Sequence, residues 1–433
     1  MNKVMDMLLE RATARFGEAE VLLESSKNYA LSVYEGDFET IEISEVGGIS
    51  LRVLHHQKMG MSYSEKVSED VVELLIEQAA MSLEHSPRGA ELPFLAGEEK
   101  SFGEPFSFDL ESYREDLLKT EALIYEKSPD IKSCEVKLQS VMVTKQLKNS
   151  KGIDFKETSG GGIVYAQVVI NHDEGMEMGF DFQSLEDFSP EVLSEGAYRD
   201  ALDGIGASSI PSKKMDLIIR GDTFGMLLSA FSSIFSAEQN QKDMSVLKGR
   251  LGEDISSPVL TLLDDARYEG SLIKRYFDSE GVETRNYPLI EEGVFKGFLQ
   301  SRKTAEKEGS VPTGHGYRPP NGAVHVSATT LVVKPGESSV SELLEALGDG
   351  LYIRDFQAYH SGVNPVSGDF SLPAKAFLVE DGRLSRPVNQ VMVSGNILDV
   401  FRNLSMVANK TKNAMMRGFS PDVLIKDLTV SGE

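Results

Sequence analysis

The first residues of the chain place apolar side chains at the spacing of an α-helix. They recur every three or four positions between charged residues, at Met1, Val4, Met5, Leu8, Leu9, Ala12 and Phe16. This periodicity predicts an amphipathic N-terminal helix and does not fit a signal peptide. Elsewhere no apolar run approaches the roughly 18 residues that a membrane-spanning helix needs, so we expect no transmembrane segment.

After this helix the hydrophobic period shortens to that of β-strands. Short runs rich in β-branched and aromatic residues are separated by Gly, Asn or Asp, which is typical of an antiparallel meander. A long amphipathic helix comes next, and Ser68 is its expected N-cap. The same order of helix, strands and helix then recurs, with Ser189 as the expected cap of the last helix.

These patterns predict an α+β fold. Its N-terminal domain, residues 1–206, combines antiparallel meanders with long helices. The two parts of this domain, residues 1–105 and 106–206, share the order Gly-Gly, strand, turn, strand and serine-capped helix. One interpretation is an internal duplication, and the alternative is that antiparallel α+β domains generally repeat such units.

From residue 207 the sequence pattern changes to that of short strands joined by glycine-containing turns. This predicts a mostly β C-terminal domain, residues 207–433, with few helices. One helix begins after Asn396, its expected cap. The other contains "GMLLSAFSSIFSAEQ", in which apolar residues cover most of the surface and serines 229, 232, 233 and 236 share a narrow stripe. The stripe suits either close approach of another backbone or one wall of a polar pocket.

Composition limits the classes of function. The 433 residues carry a net charge of −24, which disfavours binding to nucleic acid or to an anionic membrane surface. The single cysteine, Cys134, excludes an intrachain disulfide and any metal site with several cysteines. With no targeting segment in view, we expect a cytoplasmic protein.

Familiar catalytic motifs are absent from the sequence. The seven histidines show no HExxH spacing, and neither a GxSxG elbow nor a phosphate-binding loop occurs. Asp264 and Asp265 form an acidic pair at the end of a predicted strand, which we interpret as a solvated turn rather than a general acid–base pair.

Two Gly/Pro-rich loops carry polar side chains of the kinds that bind ligands. The loop 310–322 displays His315, Tyr317 and Arg318, and the loop 359–371 carries His360, Asn364, Asp369 and Ser371. Irregular loops on a β scaffold often carry binding residues. We therefore predict contacts with substrate or partner at these seven residues. The alternative is that Gly and Pro only shape turns and the polar side chains are solvated.

Three stretches resemble the TldD/PmbA family, also called TldD/TldE. They are "SVLKGRLGEDISSPVLTLLDDARYEG", "PTGHGYRPP" and "GVNPVSGDFSLPAKAFLVEDGRLSRPVNQVMVSGNILDVFRNL". The resemblance extends over the chain, and its order of elements agrees with the two predicted domains. Within the family, "SGDFS" and "VSGNILDVFRNL" are similar to the TldE branch in particular.

The resemblance implies a metallopeptidase family with two branches. TldD-like members hold zinc with an HExxxH helix and a later cysteine, whereas TldE/PmbA-like members lack these ligands and pair with a TldD-like subunit. Counted back from "SVLKG" without gaps, the motif's first histidine falls on Leu228, its glutamate on Ser229 and its second histidine on Ser233. Cys134 lies in the other domain and does not match the cysteine.

We therefore expect neither a catalytic residue nor a metal or other cofactor in this chain, with zinc held by a TldD-like partner. Histidines five positions apart lie about 140° apart on a regular helix, so an HExxxH metal site requires a distorted one. Without a metal to bind, we expect a regular helix here, with Leu228 buried.

The resulting hypothesis is a TldE/PmbA-like subunit, without metal, of a TldD–TldE-type zinc metallopeptidase that acts on unfolded or extended peptides. An alternative is a homodimeric regulatory or binding protein, of the kind called a modulator of DNA gyrase, without proteolytic activity of its own. A third hypothesis is a hydrolase that uses Ser229 or Ser233. No histidine has a sequence context that ties it to either serine.

Overall fold

The N-terminal apolar pattern folds as the predicted amphipathic helix, which packs its apolar side on a long antiparallel sheet. The computed structural model describes residues 2–86, 89, 91–104, 106–173, 175–319, 322–413 and 418–433. In the N-terminal half the elements are, in order, α1 (Asn2–Phe16), β1 (Glu18–Tyr34), β2 (Asp37–His55), β3 (Lys58–Ser64), α2 (Val72–His85), β4 (Glu99–Phe102), α3 (Arg114–Tyr125), β5 (Ile131–Asn149), β6 (Asp154–His172), β7 (Gly175–Ser184) and α4 (Pro190–Leu202).

These strands form one seven-stranded sheet in the order β3-β2-β1-β5-β6-β4, with β7 also paired to β6. All pairs are antiparallel except β4 with β6. Helices α1 and α2 cover one part of the sheet, and α3 and α4 cover the part formed by β5 and β6. Within the N-terminal half, residues 1–105 and 106–206 thus share one order of elements, and they meet where β1 pairs with β5. A duplication remains the prediction made from sequence.

The C-terminal half is built mainly from strands, as predicted. Its elements are β8 (Lys213–Ile219), α5 (Gly221–Ala230), α6 (Ala237–Gln241), β9 (Leu262–Asp265), β10 (Asn286–Glu291), β11 (Val294–Phe295), α7 (Arg302–Glu308), β12 (Gly316–Tyr317), β13 (His325–Val326), β14 (Leu331–Val333), α8 (Val340–Leu347), β15 (Gly350–Phe356), α9 (Tyr359–Gly362), β16 (Val363–Asn364), β17 (Asp369–Glu380), β18 (Arg383–Asn396), α10 (Ile397–Asn403), β19 (Leu404–Asn413) and β20 (Gly418–Ser431).

Most of these strands join in one sheet of the order β11-β10-β9-β14-β20-β18-β17-β15-β8. Because β8 pairs with both β15 and β20, five of the strands close into a ring. The main core of this half lies against this sheet and includes the buried side of α5. The α+β fold with a mostly β C-terminal part is therefore confirmed. Within the described residues, no helix combines the length and the apolar composition needed to cross a membrane.

Helix caps show how local sequence sets the helix ends. The predicted caps Ser189 and Asn396 accept hydrogen bonds from the backbone N–H groups of Val192 at 3.4 Å and Leu398 at 3.0 Å. Ser68 does not cap with its side chain, since a 3₁₀ turn at Glu69–Val71 precedes α2.

The prediction of a regular helix through the serine stripe is wrong. Helix α5 ends at Ala230, a 3₁₀ turn follows at Ser232–Phe235, and a separate helix, α6, begins after Ser236. The cause is a competing backbone contact. Leu299 donates to the Phe235 carbonyl at 2.8 Å and accepts from the Ala237 N–H at 3.0 Å, which a continuous helix would prevent. Leu228 is 1% exposed within the core, so its predicted burial is confirmed.

Close backbone approach in this helix occurs on its glycine side. A Cβ atom built on Gly418 of β20 would lie 2.8 Å from the carbonyl oxygen of Gly225, so the strand and α5 touch through backbone. Ser229 is half-buried and Ser233 is exposed, while Ser236 is buried and caps α6. The close backbone contact is therefore made by Gly225 and Gly418. The serines at 229 and 233 lie on the side of this segment that is not fully buried.

A loop after β9 joins the two halves. Phe277 of this loop extends away from the C-terminal sheet and packs among Leu22, Leu147, Ile153 and Phe155 of the N-terminal half. Its ring centroid lies 5.4 Å from that of Phe155. Next to it, the Tyr276 N–H donates to Glu157 at 2.7 Å, and the Lys274 N–H donates to Ser159 at 2.7 Å. The junction is thus an apolar plug with hydrogen bonds beside it.

Replacing Phe277 should weaken the packing between the two halves and so lower the stability of the protein. Phe277 is fully buried, so Phe277→Ala should lower the free energy of unfolding by about 3–5 kcal/mol through lost burial and the resulting cavity. Urea denaturation followed by circular dichroism measures this change. Val311→Ala is the control, since Val311 is 69% exposed and should change stability by less than about 0.5 kcal/mol. A loss below about 1 kcal/mol for the Phe277 variant would contradict the assigned role.

Candidate functional site: a charged cavity between the domains

A cavity of about 800 Å³ lies between the two halves of the molecule. The N-terminal sheet contributes Arg52, Met59 and Met61. The C-terminal half contributes α6, α7 and the segments around residues 280, 318 and 322–325. The cavity therefore combines an apolar wall with charged groups, the usual composition of a small-molecule site.

Two buried guanidinium groups lie beside this cavity. Arg318 and Arg52 are both buried and share one carboxylate, that of Glu20, which is 1% exposed. The distances from Glu20 Oε1 are 3.5 Å to Arg52 Nη1 and 3.7 Å to Arg318 Nη2, longer than hydrogen bonds. Arg318 Nη1 donates to Ser50 Oγ at 2.9 Å. Burial and the charge of Arg52 lower the pKa of Arg318 to about 10.

Hydrogen-bonding capacity remains unused at this point. Within the described residues, Arg318 Nε and Nη2, Arg52 Nη1 and Glu20 Oε1 have no hydrogen-bond partner. Buried polar atoms without partners are rare, and they are costly when the group carries charge. The cluster therefore holds three nitrogen donors and one carboxylate acceptor without hydrogen bonds, next to a cavity.

A second carboxyl group, Glu280, lines the same cavity. Its Oε2 accepts a hydrogen bond from the Arg302 N–H at 2.8 Å. Burial, with the negative charge of Asp278 adding to it, raises the pKa of Glu280 to about 7. Burial also raises the pKa of Asp278, which accepts hydrogen bonds from the N–H groups of Glu280, Val282 and Gly316 at 2.9, 3.0 and 2.9 Å.

Behind this group lies a buried ammonium. Lys145 Nζ donates to the Phe277 carbonyl at 3.1 Å and lies 3.9 Å from Glu157. Burial lowers the pKa of Lys145 and raises that of Glu157. The Tyr317 ring is bracketed by two cations, with Arg275 at 4.6 Å and Lys145 at 5.6 Å from its centroid. Burial raises the pKa of the Tyr317 hydroxyl.

The structure brings His315, Tyr317 and Arg318 together but does not display them on the surface. His315 is fully buried, with Nδ1 at 2.8 Å from Thr313 Oγ1 and Nε2 at 3.1 Å from Asp264 Oδ1. The interpretation of Asp264 as part of a solvated turn is wrong. Its carboxylate is fully buried and also accepts from the Thr329 N–H at 2.8 Å. The loop packs against β9, where His315 and Asp264 contact each other, and this explains both corrections. A binding role for the loop stays a prediction.

The second predicted loop lies elsewhere and is exposed, as a binding loop would be. None of its four residues lines the cavity. Asn364 and Asp369 hold a tight β16–β17 hairpin. The Asn364 side chain accepts from the Val366 N–H at 3.0 Å, and Asp369 accepts from Asn396 at 2.9 Å. Ser371 Oγ lies 2.8 Å from Ser394 Oγ, and His360 is on the short helix α9. Their part in binding remains a prediction.

The positions that correspond to the zinc motif do not form a metal site. Leu228 has no donor atom and lies in the core, while Ser229 and Ser233 face outward. Among the described residues, no group of three or more His, Cys, Asp or Glu side chains is placed to hold a metal ion. Neither serine hydroxyl forms a hydrogen bond with a histidine within that part of the chain. The residues present do not fit catalytic zinc, which needs about three protein ligands.

The outward side of α5 borders a smaller cavity of about 550 Å³. Asp222, Thr223 and Met226 line it from the helix, and Asp181 lines it from β7. Burial raises the pKa of Asp181 to about 6. This places charged groups beside the helix that carries the corresponding motif positions.

Sequence reasoning missed the charged residues of the N-terminal sheet beside the main cavity. Glu20 and Arg52 stand in the otherwise apolar runs "AEVLL" and "ISLRVL", and they are direct cross-strand partners in the β1–β2 register. A charged residue inside an apolar strand was the available signal, because such a residue is seldom buried without a partner.

Comparison with known proteins identifies relatives along most of the chain. The PmbA/TldA metallopeptidase family matches in three parts: domain 1 at residues 19–82, the central domain at 103–205 and the C-terminal domain at 212–432. A metalloprotease of Methanocaldococcus jannaschii is 26% identical over 408 residues, covering 90% of this chain and 89% of the relative.

Solved structures with the same fold are also found. The crystal structure of a proposed modulator of a DNA gyrase from Thermotoga maritima matches with a TM-score of 0.91 and 28% identity, covering 99% of this chain and 100% of the other. TldE from Thermococcus kodakarensis matches with a TM-score of 0.88 and 23% identity, again over 99% and 100% of the two chains. The second likeness concerns the fold alone.

Glu280 should make stability depend on pH. Its pKa is about 7 in the folded protein against an ordinary value of 4.5, so the folded state binds the extra proton between these values. Stability should therefore fall as pH rises from about 4.5 to 7. Glu280→Gln keeps an acceptor for the Arg302 N–H and should weaken this dependence, while the raised pKa values of Asp278 and Asp181 leave a residual fall. The gain at pH 7.5 should reach up to about 3 kcal/mol, since one pKa unit corresponds to about 1.4 kcal/mol.

Denaturant unfolding at several pH values measures the effect. Glu306→Gln is the matched control, because it removes an exposed carboxylate at the rim of the same cavity. If the Glu280 variant kept the wild-type pH profile, or if the control flattened it equally, the assignment to Glu280 would fail.

Proposed function

The chain belongs to the PmbA/TldD family, and from that premise we propose that it is a TldE/PmbA-like subunit of a TldD–TldE-type metallopeptidase. In this proposal it binds no catalytic zinc, and a TldD-like partner supplies the metal. The substrates of the complex are unfolded or extended peptides.

The proposal rests on one observation: the side chains at the positions that correspond to the zinc motif are not metal ligands. The first histidine position is Leu228, a core residue, and the glutamate and second histidine positions are Ser229 and Ser233. A catalytic zinc activates a bound water that a general base then deprotonates. This chain offers neither the imidazoles nor the carboxylate at those positions, so the zinc chemistry is assigned to the partner.

An open sheet edge supports the part that concerns peptides. β3 pairs only with residues 49–55 of β2, so residues 37–48 have a strand partner on one side only within the described chain. Ile41 and Ile43 on this stretch are 55% and 58% exposed. An extended peptide can add to such an edge through backbone hydrogen bonds, which tolerate many sequences.

A second candidate is a homodimeric regulatory or binding protein without proteolytic activity. The likeness to the proposed gyrase modulator of Thermotoga maritima favours it. In this case the chain acts by protein contact, because a net charge of −24 opposes direct contact with DNA. An effect of the purified chain on gyrase supercoiling, without any TldD-like subunit, would support this candidate.

The proposal predicts how the chain behaves alone and together with a TldD-like protein. Purified alone, it should hold much less than one zinc per chain and show no chelator-sensitive peptidase activity. Co-expressed with a TldD-like protein, it should form a stable complex whose peptidase activity exceeds that of the TldD-like protein alone. Size-exclusion chromatography, metal analysis and an assay with an unfolded peptide check these points. Stoichiometric zinc with chelator-sensitive cleavage in the isolated chain would refute the proposal.

The alternative of a serine hydrolase has its own test. Ser233 is exposed and Ser229 is half-buried, so Ser233→Ala and Ser229→Ala should both fold normally. The proposal expects the peptidase activity of the complex to stay within about twofold of wild type in each variant. A loss of about 100-fold or more, as removal of a nucleophile causes, would revive the serine hypothesis.

A further inference from the structure

The cavity between the domains contains two arginines with too few partners. We propose that it is a binding site for a carboxylate group, presented by a small organic acid or by the C-terminus of a short peptide, and held by Arg318 with Arg52. The inference rests on the cavity itself and goes beyond the proposed function, because it holds with or without a TldD-like partner.

The geometry of Arg318 carries the first step. Its Nη1 is occupied by Ser50 Oγ, whereas Nε and Nη2 have no hydrogen-bond partner among the described residues. These two atoms form one edge of the guanidinium plane, with two parallel N–H donors. Glu20 Oε1 approaches this edge only to 3.7 Å from Nη2, so the edge keeps its hydrogen-bonding capacity, and a carboxylate presents two oxygens at the matching spacing.

The charge balance carries the second step. The carboxylate nearest to the two buried guanidinium groups is Glu20, at 3.5 and 3.7 Å, and Glu24 and Glu280 lie farther away. Glu280 has a pKa of about 7 and so carries only part of a negative charge at neutral pH. A buried charge without close compensation is costly, and a ligand carboxylate at hydrogen-bond distance would compensate the guanidinium groups more closely than Glu20 does.

The rest of the cavity points the same way. Six of its lining side chains are lysine or arginine and four are glutamate, in a chain whose net charge is −24. Two of the rim cations form ion pairs, Lys242 with Glu238 at 2.7 Å and Lys303 with Glu91 at 3.3 Å. The buried cations of the lining are Arg52 and Arg318.

Size and polarity define the class of ligand further. A volume of about 800 Å³ is ample for a small acid or for a few peptide residues. Met59, Met61 and Leu92 give the cavity an apolar wall beside the arginines. A carboxylate with an attached aliphatic body would therefore satisfy both parts of the cavity, whereas inorganic phosphate would leave the apolar wall uncovered.

Isothermal titration calorimetry on the full chain tests the proposal with four probes. They are succinate, trialanine with a free C-terminus, the C-terminal amide of trialanine, and inorganic phosphate. We expect succinate or trialanine to bind and the amide to bind at least about tenfold more weakly. Succinate alone would identify a small acid, and trialanine alone a peptide C-terminus. Absence of binding by both carboxylates, equal binding of the amide, or tighter binding of phosphate would overturn the proposal.

Variants locate the site. Arg318→Met should weaken binding of the carboxylate at least about tenfold, because hydrogen bonds to charged groups are lost. Arg318→Lys keeps the charge but not the two-donor edge and should also bind more weakly than wild type. Arg354→Met is the matched control, since Arg354 is a buried arginine that pairs with Asp200 and does not line this cavity. Its affinity should equal that of wild type.

Thermal unfolding with and without the carboxylate separates binding from folding. The ligand should raise the melting temperature of wild type and of Arg354→Met, but not of Arg318→Met. If Arg318→Met does not fold, Arg52→Lys replaces it and should weaken binding in the same sense. Wild-type affinity in the folded Arg318 or Arg52 variants would overturn the assignment.

Discussion

The contact between Lys145 and the Phe277 segment is the constraint on which the junction of the two halves depends. A buried ammonium needs a partner, and Lys145 finds the Phe277 carbonyl at 3.1 Å, with Glu157 at 3.9 Å. The Phe277 ring covers the same ammonium at 4.6 Å and fills an apolar pocket of the N-terminal sheet. Polar and apolar requirements thus fix one loop in one place.

The walls of the main cavity follow from this anchor. Asp278, next to Phe277, accepts the Gly316 N–H at 2.9 Å, and the Arg318 N–H reaches Ser279 at 3.3 Å. The anchored loop therefore holds a second loop against the sheet, and that loop delivers the Arg318 guanidinium to Ser50. The deep arginines are a consequence of how the domains are joined.

The local hydrophobic pattern was sufficient to predict much of the fold, because the periods of strands and helices can be read from neighbouring residues. The N-terminal helix, the meanders and the caps at Ser189 and Asn396 are of this kind. The break after Ala230 depends on Leu299, and the burial of His315 depends on its contacts with Thr313 and Asp264. Composition could mark residues 310–322 as a loop, but it could not reveal what that loop packs against.

The burial of Leu228 has a consequence for what this chain could acquire. A histidine at this position would place an imidazole among close-packed hydrocarbon side chains. Ser233, the position that corresponds to the second histidine, lies in the 3₁₀ turn beyond α5, so the two positions do not share one helix. A zinc motif at these positions would therefore need a repacked core and a rebuilt helix as well as new side chains, so stability opposes it as well as chemistry.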